Sequence, residues 1–266
     1  MKIGILIPTT SHGRAWTSYK ETYLYNIMLK SFLLTSDKNY EDAMSPTTSE
    51  DLQYIFYIGL DKGDKILDHH ETKTNINKLG QVFTNISFQY IYMTDITKGH
   101  LTVMWNRLFT KALADQCDYF YQCGDDIEFK TKGWVNACIK QLKAHGDYGM
   151  TGPINNNPNI LTQTFVSRKH YDLFGYFFPP EIINWCCDDW INHVYRGLNI
   201  FFPLNDHLCE NIGGKPRYVI NNDAKFCATD QMGFLKNTQR LREECQKIVQ
   251  RDLQRLVREG KIKGAI

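Results

Sequence analysis

The chain divides into short apolar runs separated by longer segments in which apolar residues recur every three or four positions. A short run closed by a breaker or a charge is typical of a buried strand, and the longer spacing is typical of an amphipathic helix. The predicted strands are 2–7, 52–60, 88–93, 119–123 and 148–153, and the predicted helices are 17–35, 101–114 and 133–145. This alternation indicates an α/β fold with a mainly parallel central sheet and flanking helices.

The second half of the chain is less regular. From about residue 161 the alternation weakens and aromatic residues become frequent. One helical face near the end carries Leu241, Cys245, Ile248, Val249, Leu253 and Leu256. The segment 236–266 holds nine Lys/Arg and four Asp/Glu, so it is predicted to be a basic amphipathic helix packed on the body or on a second subunit. We expect one main domain over 1–235, followed by this helix.

Composition and charge argue against several classes of protein. Mean hydropathy is −0.41 and no apolar run approaches the roughly 20 residues of a membrane span. The short apolar stretch before Pro8 lacks the features of a signal peptide, which predicts a cytoplasmic protein. A net charge of +2 does not suggest a nucleic-acid partner. Eight cysteines without a CxxC spacing indicate reduced thiols rather than a disulfide framework or a zinc site.

Polar side chains follow three of the predicted strands. They are Pro8, Thr9 and Thr10 after the first strand, Asp61 after the second, and Asp125 with Asp126 after the fourth. In open α/β sheets ligands bind beyond the carboxyl ends of the strands. We therefore expect these residues to converge on one binding site.

The acidic pair stands in YFYQCGDDIEF, where Asp125 and Asp126 directly follow a buried strand. Adjacent carboxylates repel one another, so they are either solvated or close to a cation. Clustered carboxylates suit Mg²⁺ or Mn²⁺, which commonly complete their ligand shells with substrate phosphates. The alternative is a solvated turn, although the position at a strand end favours a metal. His207 is a candidate third ligand, with a structural hydrogen-bonding role as its alternative.

A second acidic pair stands in NWCCDDWINHVY, where Asp188 and Asp189 lie between Trp185 and Trp190 at a predicted helix start. Helix capping alone explains one aspartate. Apolar walls raise the proton affinity of a carboxylate and suit a general base. Aromatic faces can also stack on sugar rings, so the tryptophans are candidate acceptor-binding residues.

Two basic segments are candidate phosphate contacts. TKGHLTVMWNRLF places Lys98, Gly99 and Asn106 at a strand-to-helix junction, and helix N-termini bind phosphates; a plain loop is the alternative. Lys215 and Arg217 follow a Gly-Gly turn and could also bind phosphate, with ordinary surface charges as the alternative.

The order of these motifs resembles that of nucleotide-sugar-dependent glycosyltransferases of the GT-A fold, in particular the large inverting family with a DxD motif. The resemblance rests on the strand before PTT, on a second strand ending in Asp61, and on WNRLFTKALADQCDYFYQCGDDIEF. The first acidic position of the motif is Gly124 here. WCCDDW resembles the W-G-G-E-D segment of the same fold, with Cys186 and Cys187 in place of the glycines.

The resemblance implies a Rossmann-like sheet with a donor half over about 1–130 and an acceptor half over about 131–235. It implies that Asp126 binds Mn²⁺ or Mg²⁺, that Asp125 lies near the ribose or shares the metal, and that His207 is a further metal ligand. Pro8, Thr9 and Asp61 match nucleotide-pocket positions.

The catalytic base implied by the resemblance is Asp189, with Asp188 holding acceptor hydroxyls. The implied donor is a UDP- or GDP-sugar, and the implied acceptor is a glycan, a glycoprotein or another hydroxyl compound. Transfer would then proceed by direct displacement with inversion. Whether the chain forms a homodimer stays open.

Other function classes remain as alternatives. A sugar-phosphate nucleotidyltransferase would need a glycine-rich loop with Arg and Lys after the first strand, whereas PTTSHGR has one glycine and no lysine. A retaining transferase would make WCCDDW structural. A non-catalytic carbohydrate-binding protein is disfavoured by the intact acidic pairs, and a metal-dependent nuclease by the absence of a basic groove.

Overall fold

A computed structural model describes residues 1–36, 52–213 and 231–261 of the chain. The strands are β1 (Lys2–Thr9), β2 (Gln53–Leu60), β3 (Ile86–Tyr92), β4 (Tyr119–Gln122), β5 (Ile127–Phe129), β6 (Met150–Ile154), β7 (Thr164–Ser167) and β8 (Phe201–Asn211). The α-helices are α1 (Lys30–Thr35), α2 (His70–Val82), α3 (Leu101–Ala114), α4 (Trp134–Lys143), α5 (Lys169–Phe174), α6 (Cys187–Gly197) and α7 (Gln231–Arg258).

The strands form one mixed sheet in the order β3-β2-β1-β4-β7-β6-β8-β5. The first four of these run parallel, as predicted, whereas β7 is antiparallel to both of its neighbours. β8 is parallel to β6 and antiparallel to β5. The α/β fold with flanking helices is thus confirmed, and the part of the sheet formed by the second half of the chain is mixed rather than parallel.

Two apolar layers cover the faces of this sheet. Side chains alternate along each strand, so Leu6 joins one layer and Ile5 joins the other. The first layer contains α3, α5, α6 and α7, and the second contains α1 and α4. Burial of both faces explains the uninterrupted apolar run of β1.

The helix predicted over 17–35 is real but irregular. It begins as a 3₁₀ turn over Tyr19–Glu21, continues as a π-helix over Leu24–Leu29, and is α-helical only over Lys30–Thr35. The sequence pattern did not predict α2, because only Thr72 and Ile76 of that helix are buried. The other predicted elements agree with the structure within a few residues.

Helix α7 packs along α6, which places the predicted terminal helix on the body of the same chain. It begins at Gln231 rather than at 236, and Leu241, Cys245, Val249 and Leu256 are buried in the interface. The carboxylate of Asp252 is also buried there, where it accepts hydrogen bonds from the Trp190 indole N–H (3.0 Å) and the Tyr176 hydroxyl (3.1 Å).

Two further expectations concern the cysteines and the membrane. All seven cysteines in the described ranges are free and buried; Cys227 lies outside them. None of the helices within those ranges is both long enough and apolar enough to cross a membrane.

Candidate active site

A cavity of about 310 Å³ opens at the carboxyl ends of β1, β2 and β4. This is the edge of the sheet where the sequence predicted a site. Seven of the predicted site residues line the cavity, namely Pro8, Thr9, Thr10, Asp61, Lys98, Asp126 and Asp188. Residues from distant parts of the sequence therefore share one pocket.

Hydrogen bonds to Asp64 join the loops that follow β1 and β2. Its carboxylate accepts hydrogen bonds from the Ser11 hydroxyl (2.6 Å) and backbone N–H (2.7 Å), and from the backbone N–H of Leu67 (2.8 Å). Burial alone would raise the pKa of Asp64, but these hydrogen bonds hold the pKa below its usual range. The Thr10 hydroxyl donates to Asp61 at 3.1 Å, which orients Asp61 at the pocket wall. The sequence analysis missed Asp64, although an aspartate shortly before an apolar pair is a recognisable turn-capping signal.

The two members of the first acidic pair face different environments. Asp125 is 0% exposed, and its Oδ2 accepts the Thr9 hydroxyl at 2.6 Å. It therefore supports Thr9 from behind and lies outside the cavity lining, while its contact with ribose or metal stays a prediction. Asp126 is half-buried and lines the cavity.

Two glycines make room for the Asp126 carboxylate. A Cβ atom on Gly124 would lie 2.5 Å from Asp126 Oδ1, and one on Gly213 would lie 1.8 Å from Asp126 Oδ2. Both distances are far below van der Waals contact. A side chain at either position would compete for space with the end of the Asp126 side chain.

We expect Gly124→Ala to destabilise the fold by at most about 1 kcal/mol, since the added methyl group meets only the end of the Asp126 side chain, which can turn aside. Urea denaturation of Gly124→Ala in the wild-type and the Asp126→Ala backgrounds measures the coupling between the two positions. Most of the cost should vanish when Asp126 is replaced by alanine. Equal costs in the two backgrounds would contradict the packing described here.

The donor set at this edge fits one kind of cation site. No group of three or more His, Cys, Asp or Glu side chains within the described ranges could hold a metal ion. A site built wholly from these protein ligands is therefore not formed there. The Asp126 carboxylate does suit a Mg²⁺- or Mn²⁺-type ion that takes its remaining ligands from water and phosphate.

His207 lies away from the acidic pair. In the β5–β8 register Ile127, next to Asp126, pairs with Asn211, while Phe129 pairs with Cys209 at the other end. His207 lies beyond Cys209, so it is on the side of the ladder remote from Asp126. The structure does not bring the predicted third ligand to the cavity. Lys215 and Arg217 lie outside the described residues.

The second acidic pair begins helix α6. Cys186 precedes it with φ 69° and ψ 9°, a left-handed conformation that glycine adopts readily and other residues seldom do. The backbone at this position thus has the conformation expected of a glycine, despite the cysteine side chain. Asp188, in the first turn of α6, lines the cavity just after this turn.

Asp188 has the properties of a base at neutral pH. Burial raises the pKa of Asp188 to about 7. A hydrogen bond from the Cys187 thiol acts to lower this pKa, and the negative charge of Asp189 acts to raise it. The thiol donates to Asp188 Oδ1 with a sulfur–oxygen distance of 3.6 Å. By contrast, Asp189 does not line the cavity, and its role as the catalytic base stays a prediction.

The flanking tryptophans are outside the cavity lining. Trp190 is 0% exposed in the first apolar layer and bonds to Asp252, so it cannot stack on a ligand. Trp185 is half-buried at the edge of that layer. Their prediction as acceptor-binding residues is corrected for Trp190, and Trp185 lies beside the site rather than in it.

Asn106 has a positioning role instead of the predicted ligand contact. Its Oδ1 accepts the backbone N–H groups of Phe177 (2.9 Å) and Phe178 (2.8 Å), and its Nδ2 donates to the carbonyl of Phe178 (2.8 Å). Asn184 donates to the carbonyl of Gly99 at 2.9 Å. These bonds fasten the segment before α6 to α3 and the loop before it, and so help to fix the position of Asp188.

Several cavity residues were missed by the sequence analysis, chiefly Gln122, Thr162, Gln163 and Asn211. Gln122 carried a usable signal, since it is the polar residue at the end of the otherwise buried β4. The other three lie in segments whose strand pairing the pattern did not reveal.

Comparison with known proteins identifies the fold. No protein-family model and no curated protein sequence matches the chain. A solved structure of a putative glucose-1-phosphate thymidylyltransferase from Bacillus anthracis, in complex with sucrose, superposes with a TM-score of 0.51 at 10% identity over 90% of this chain and 94% of that one.

S. aureus TarS superposes with a TM-score of 0.49 at 13% identity over 78% of this chain, and the chain spans 36% of TarS. The TarS 1–349 structure in complex with UDP-GlcNAc gives 0.49 at 14% identity over 81% of this chain and 60% of that one. At these identities the similarity extends to the fold alone, and the chemistry has to be argued from the residues in the cavity.

Proposed function

We propose that this chain is a glycosyltransferase that moves a sugar from a nucleoside-diphosphate sugar to an acceptor hydroxyl. One observation carries the proposal. The same cavity contains Asp126, a carboxylate suited to a divalent cation and phosphates, and Asp188, a carboxyl group whose pKa is raised to about 7. Asp126 could hold a cation beside the leaving diphosphate, and Asp188 could take the proton of the attacking alcohol.

The raised pKa of Asp188 distinguishes the class of acceptor. An alcohol must lose a proton as it attacks, and a general base is most effective with a pKa near the working pH. A sugar phosphate is already an anion at neutral pH and needs no base when it attacks a nucleotide. A base in the cavity therefore supports transfer to a hydroxyl over nucleotidyl transfer.

The proton of the acceptor would pass to Asp188 Oδ2, because Oδ1 accepts the Cys187 thiol. We propose that the acceptor attacks from the face opposite the leaving diphosphate, which gives inversion at the anomeric carbon. Helix α6 holds Asp188 in place through Asn192, whose Nδ2 donates to the Asp188 carbonyl at 2.8 Å. Positioning of the two substrates in line supplies much of the remaining acceleration.

The proposed donor is a UDP- or GDP-sugar. At the other end of the cavity, Asp61 would accept hydrogen bonds from hydroxyl groups of its nucleotide. Lys98, exposed at the rim, would lie within reach of phosphate. Asp126 would hold Mn²⁺ or Mg²⁺ together with the phosphates of the donor. When bound, such a cation neutralises the charge that develops on the departing diphosphate.

The loop after β1 argues against a nucleotidyltransferase. Its one arginine, Arg14, lies over the rings of Tyr23 (4.9 Å to the centroid) and Trp16 (5.7 Å) and does not line the cavity. Its Nη2 also donates to the carbonyl of Gly213 at 3.5 Å, next to Asp126. What favours a glycosyltransferase is the composition of this loop, PTTSHGR, which has one arginine and no lysine.

Titration calorimetry with UDP and GDP, with and without Mn²⁺, tests the donor half of the proposal. We expect one diphosphate to bind in a manganese-dependent way. Asp126→Asn should weaken that binding at least tenfold by removing a charged ligand. Glu128→Gln is the matched control, because Glu128 lies two positions away and pairs with Lys130; it should leave the affinity within about twofold.

Product identity tests the other half. Incubation of the enzyme with the donor that binds should release the nucleoside diphosphate, slowly to water and faster when a hydroxyl acceptor is added. In a parallel incubation with added pyrophosphate, conversion of the donor to a sugar 1-phosphate and a nucleoside triphosphate would instead identify a nucleotidyltransferase. Failure of both diphosphates to bind with or without manganese would contradict the proposal as a whole.

A further inference from the structure

Two buried glutamines line the cavity. Gln122 is 1% exposed and Gln163 is 3% exposed. The Thr164 hydroxyl donates to Gln122 Oε1 at 3.3 Å, and the Cys209 thiol donates to Gln163 Oε1 at 3.7 Å. Each side chain therefore has its carbonyl held by the protein, and neither amide nitrogen has a hydrogen-bond partner among the described residues.

Unlike fully buried donors, the two amide N–H₂ groups border the cavity, where water or a ligand can accept their hydrogen bonds. The nearby Thr162 hydroxyl differs from them, because its oxygen is buried without a partner in the described part of the chain, and leaving such a group unpaired is costly. All three groups line the same cavity. A ligand with acceptor oxygens would satisfy donors that the surrounding protein leaves unpaired.

The sheet places these donors on the side of the cavity away from the nucleotide end. In strand order β2 and β1 precede β4, and β7 lies beyond it. Gln122 ends β4 opposite Thr164 at the start of β7, so Gln163 is next to it. A donor whose nucleotide lies at β1 and β2, with its diphosphate at Asp126, would extend its sugar toward these amides and Asp188.

The charges around the amides select against an acidic sugar. Asp188 lines the same cavity beyond the proposed cation site, and its carboxylate would repel a ligand carboxylate. The basic residues of the lining, His12 and Lys98, are exposed at the rim. Ring hydroxyls or an acetamido carbonyl accept hydrogen bonds from amides without bringing a charge.

We propose that Gln122 and Gln163 form a subsite that binds a neutral donor sugar, a hexose or an N-acetylhexosamine, through its acceptor oxygens. This rests on the proposed function and specifies its substrate class. The glutamines select the sugar and do not contribute to binding of the diphosphate.

The test uses Gln122→Met and Gln163→Met, which keep the length of the side chain and remove the amide. Gln81→Met on the exposed side of α2 is the control. Calorimetry with manganese compares UDP, UDP-glucose, UDP-GlcNAc and UDP-glucuronic acid, or GDP, GDP-mannose and GDP-mannuronic acid if guanosine is the base. The glucose and acetylated sugars distinguish a hydroxyl from a carbonyl as the acceptor group.

We expect each pocket variant to bind at least one neutral sugar nucleotide roughly tenfold more weakly than the wild type, with unchanged affinity for the diphosphate. The wild type should bind that neutral donor at least tenfold more tightly than the uronic acid, a comparison that stands even if the variants fail to fold. Unchanged neutral-donor affinity in folded variants, or equal affinity of the wild type for the uronic acid, would overturn the subsite. Absence of diphosphate binding to the wild type would overturn the proposed function itself.

Discussion

Replacing Asp188 with asparagine is expected to abolish sugar transfer while making the folded protein more stable. Asparagine keeps the shape of the side chain but cannot take the acceptor proton, and general-base catalysis contributes about 10²–10⁴-fold to rates. Donor binding should persist, because the role proposed for Asp188 is on the acceptor. The turnover number should fall by about that factor with little change in donor affinity.

The gain in stability follows from the direction of the pKa shift. In the folded state the pKa of Asp188 is raised to about 7 from an ordinary 3.8, so the unfolded chain loses this proton first as pH rises. Stability is therefore lost between about pH 4 and pH 7. The Asp188→Asn substitution would remove that loss, which we put at about 2 kcal/mol at pH 8 after allowing for partial exposure.

Thermal denaturation at pH 4 and pH 8 checks the stability effect, and the pH dependence of kcat checks the base. The variant should be more stable than the wild type at pH 8 and equal to it at pH 4, and the wild-type rate should rise as pH increases through about 7. Asp189→Asn is the control and should retain most of the activity. Loss of transfer in Asp189→Asn with activity preserved in Asp188→Asn would assign the base to the other aspartate.

Replacing Trp190 with alanine is expected to destabilise the fold by about 3–5 kcal/mol, the range for large aromatic side chains in cores. Trp190 is fully buried in the layer that contains α7, and its indole N–H bonds to the buried Asp252 carboxylate. Truncation would leave a cavity and remove a hydrogen bond from a buried charge. Chemical denaturation measures the effect directly.

Trp185→Ala is the comparison for this prediction, because Trp185 is only half-buried and should cost much less. Trp190→Phe should recover most of the stability and leave the acceptor KM unchanged. A large rise in acceptor KM for Trp190→Phe, without loss of stability, would show that the ring meets the acceptor and that its buried position is wrong.

The first half of the fold was predictable because its strands are buried on both faces. Uninterrupted apolar runs such as that of β1 stand out from the amphipathic α3. The π-helical start of the first helix was not predictable, since the apolar spacing of Leu24, Met28 and Phe32 also fits an α-helix. β7 and β8 were not predicted because short strands and mixed pairings leave little periodic pattern.

The sequence pattern also located site residues without predicting their surroundings. The pattern located Asp125 and Asp126 but could not say that one is buried behind Thr9 while the other faces the cavity. For α6 the relative directions of the side chains could have been predicted, since residues two positions apart point about 200° apart on a helix. If Asp188 faces the cavity, Trp190 must face away from it.

Other parts of the site depend on long-range contacts that no local pattern contains. Gln163 reaches the cavity because β7 pairs with β4. Asp64 matters because two loops meet at it. Cys186 has a positive φ, a backbone conformation that residues other than glycine seldom adopt. Such conformations cluster at functional sites.

The central claim is that the cavity between Asp61 and Asp188 binds the donor. A crystal structure with Mn²⁺ and the nucleotide sugar that binds in calorimetry tests it most directly. We expect a cation on Asp126, phosphates beside it, and the sugar against Gln122 and Gln163. Density for the nucleotide elsewhere on the protein, with this cavity holding only water, would contradict it.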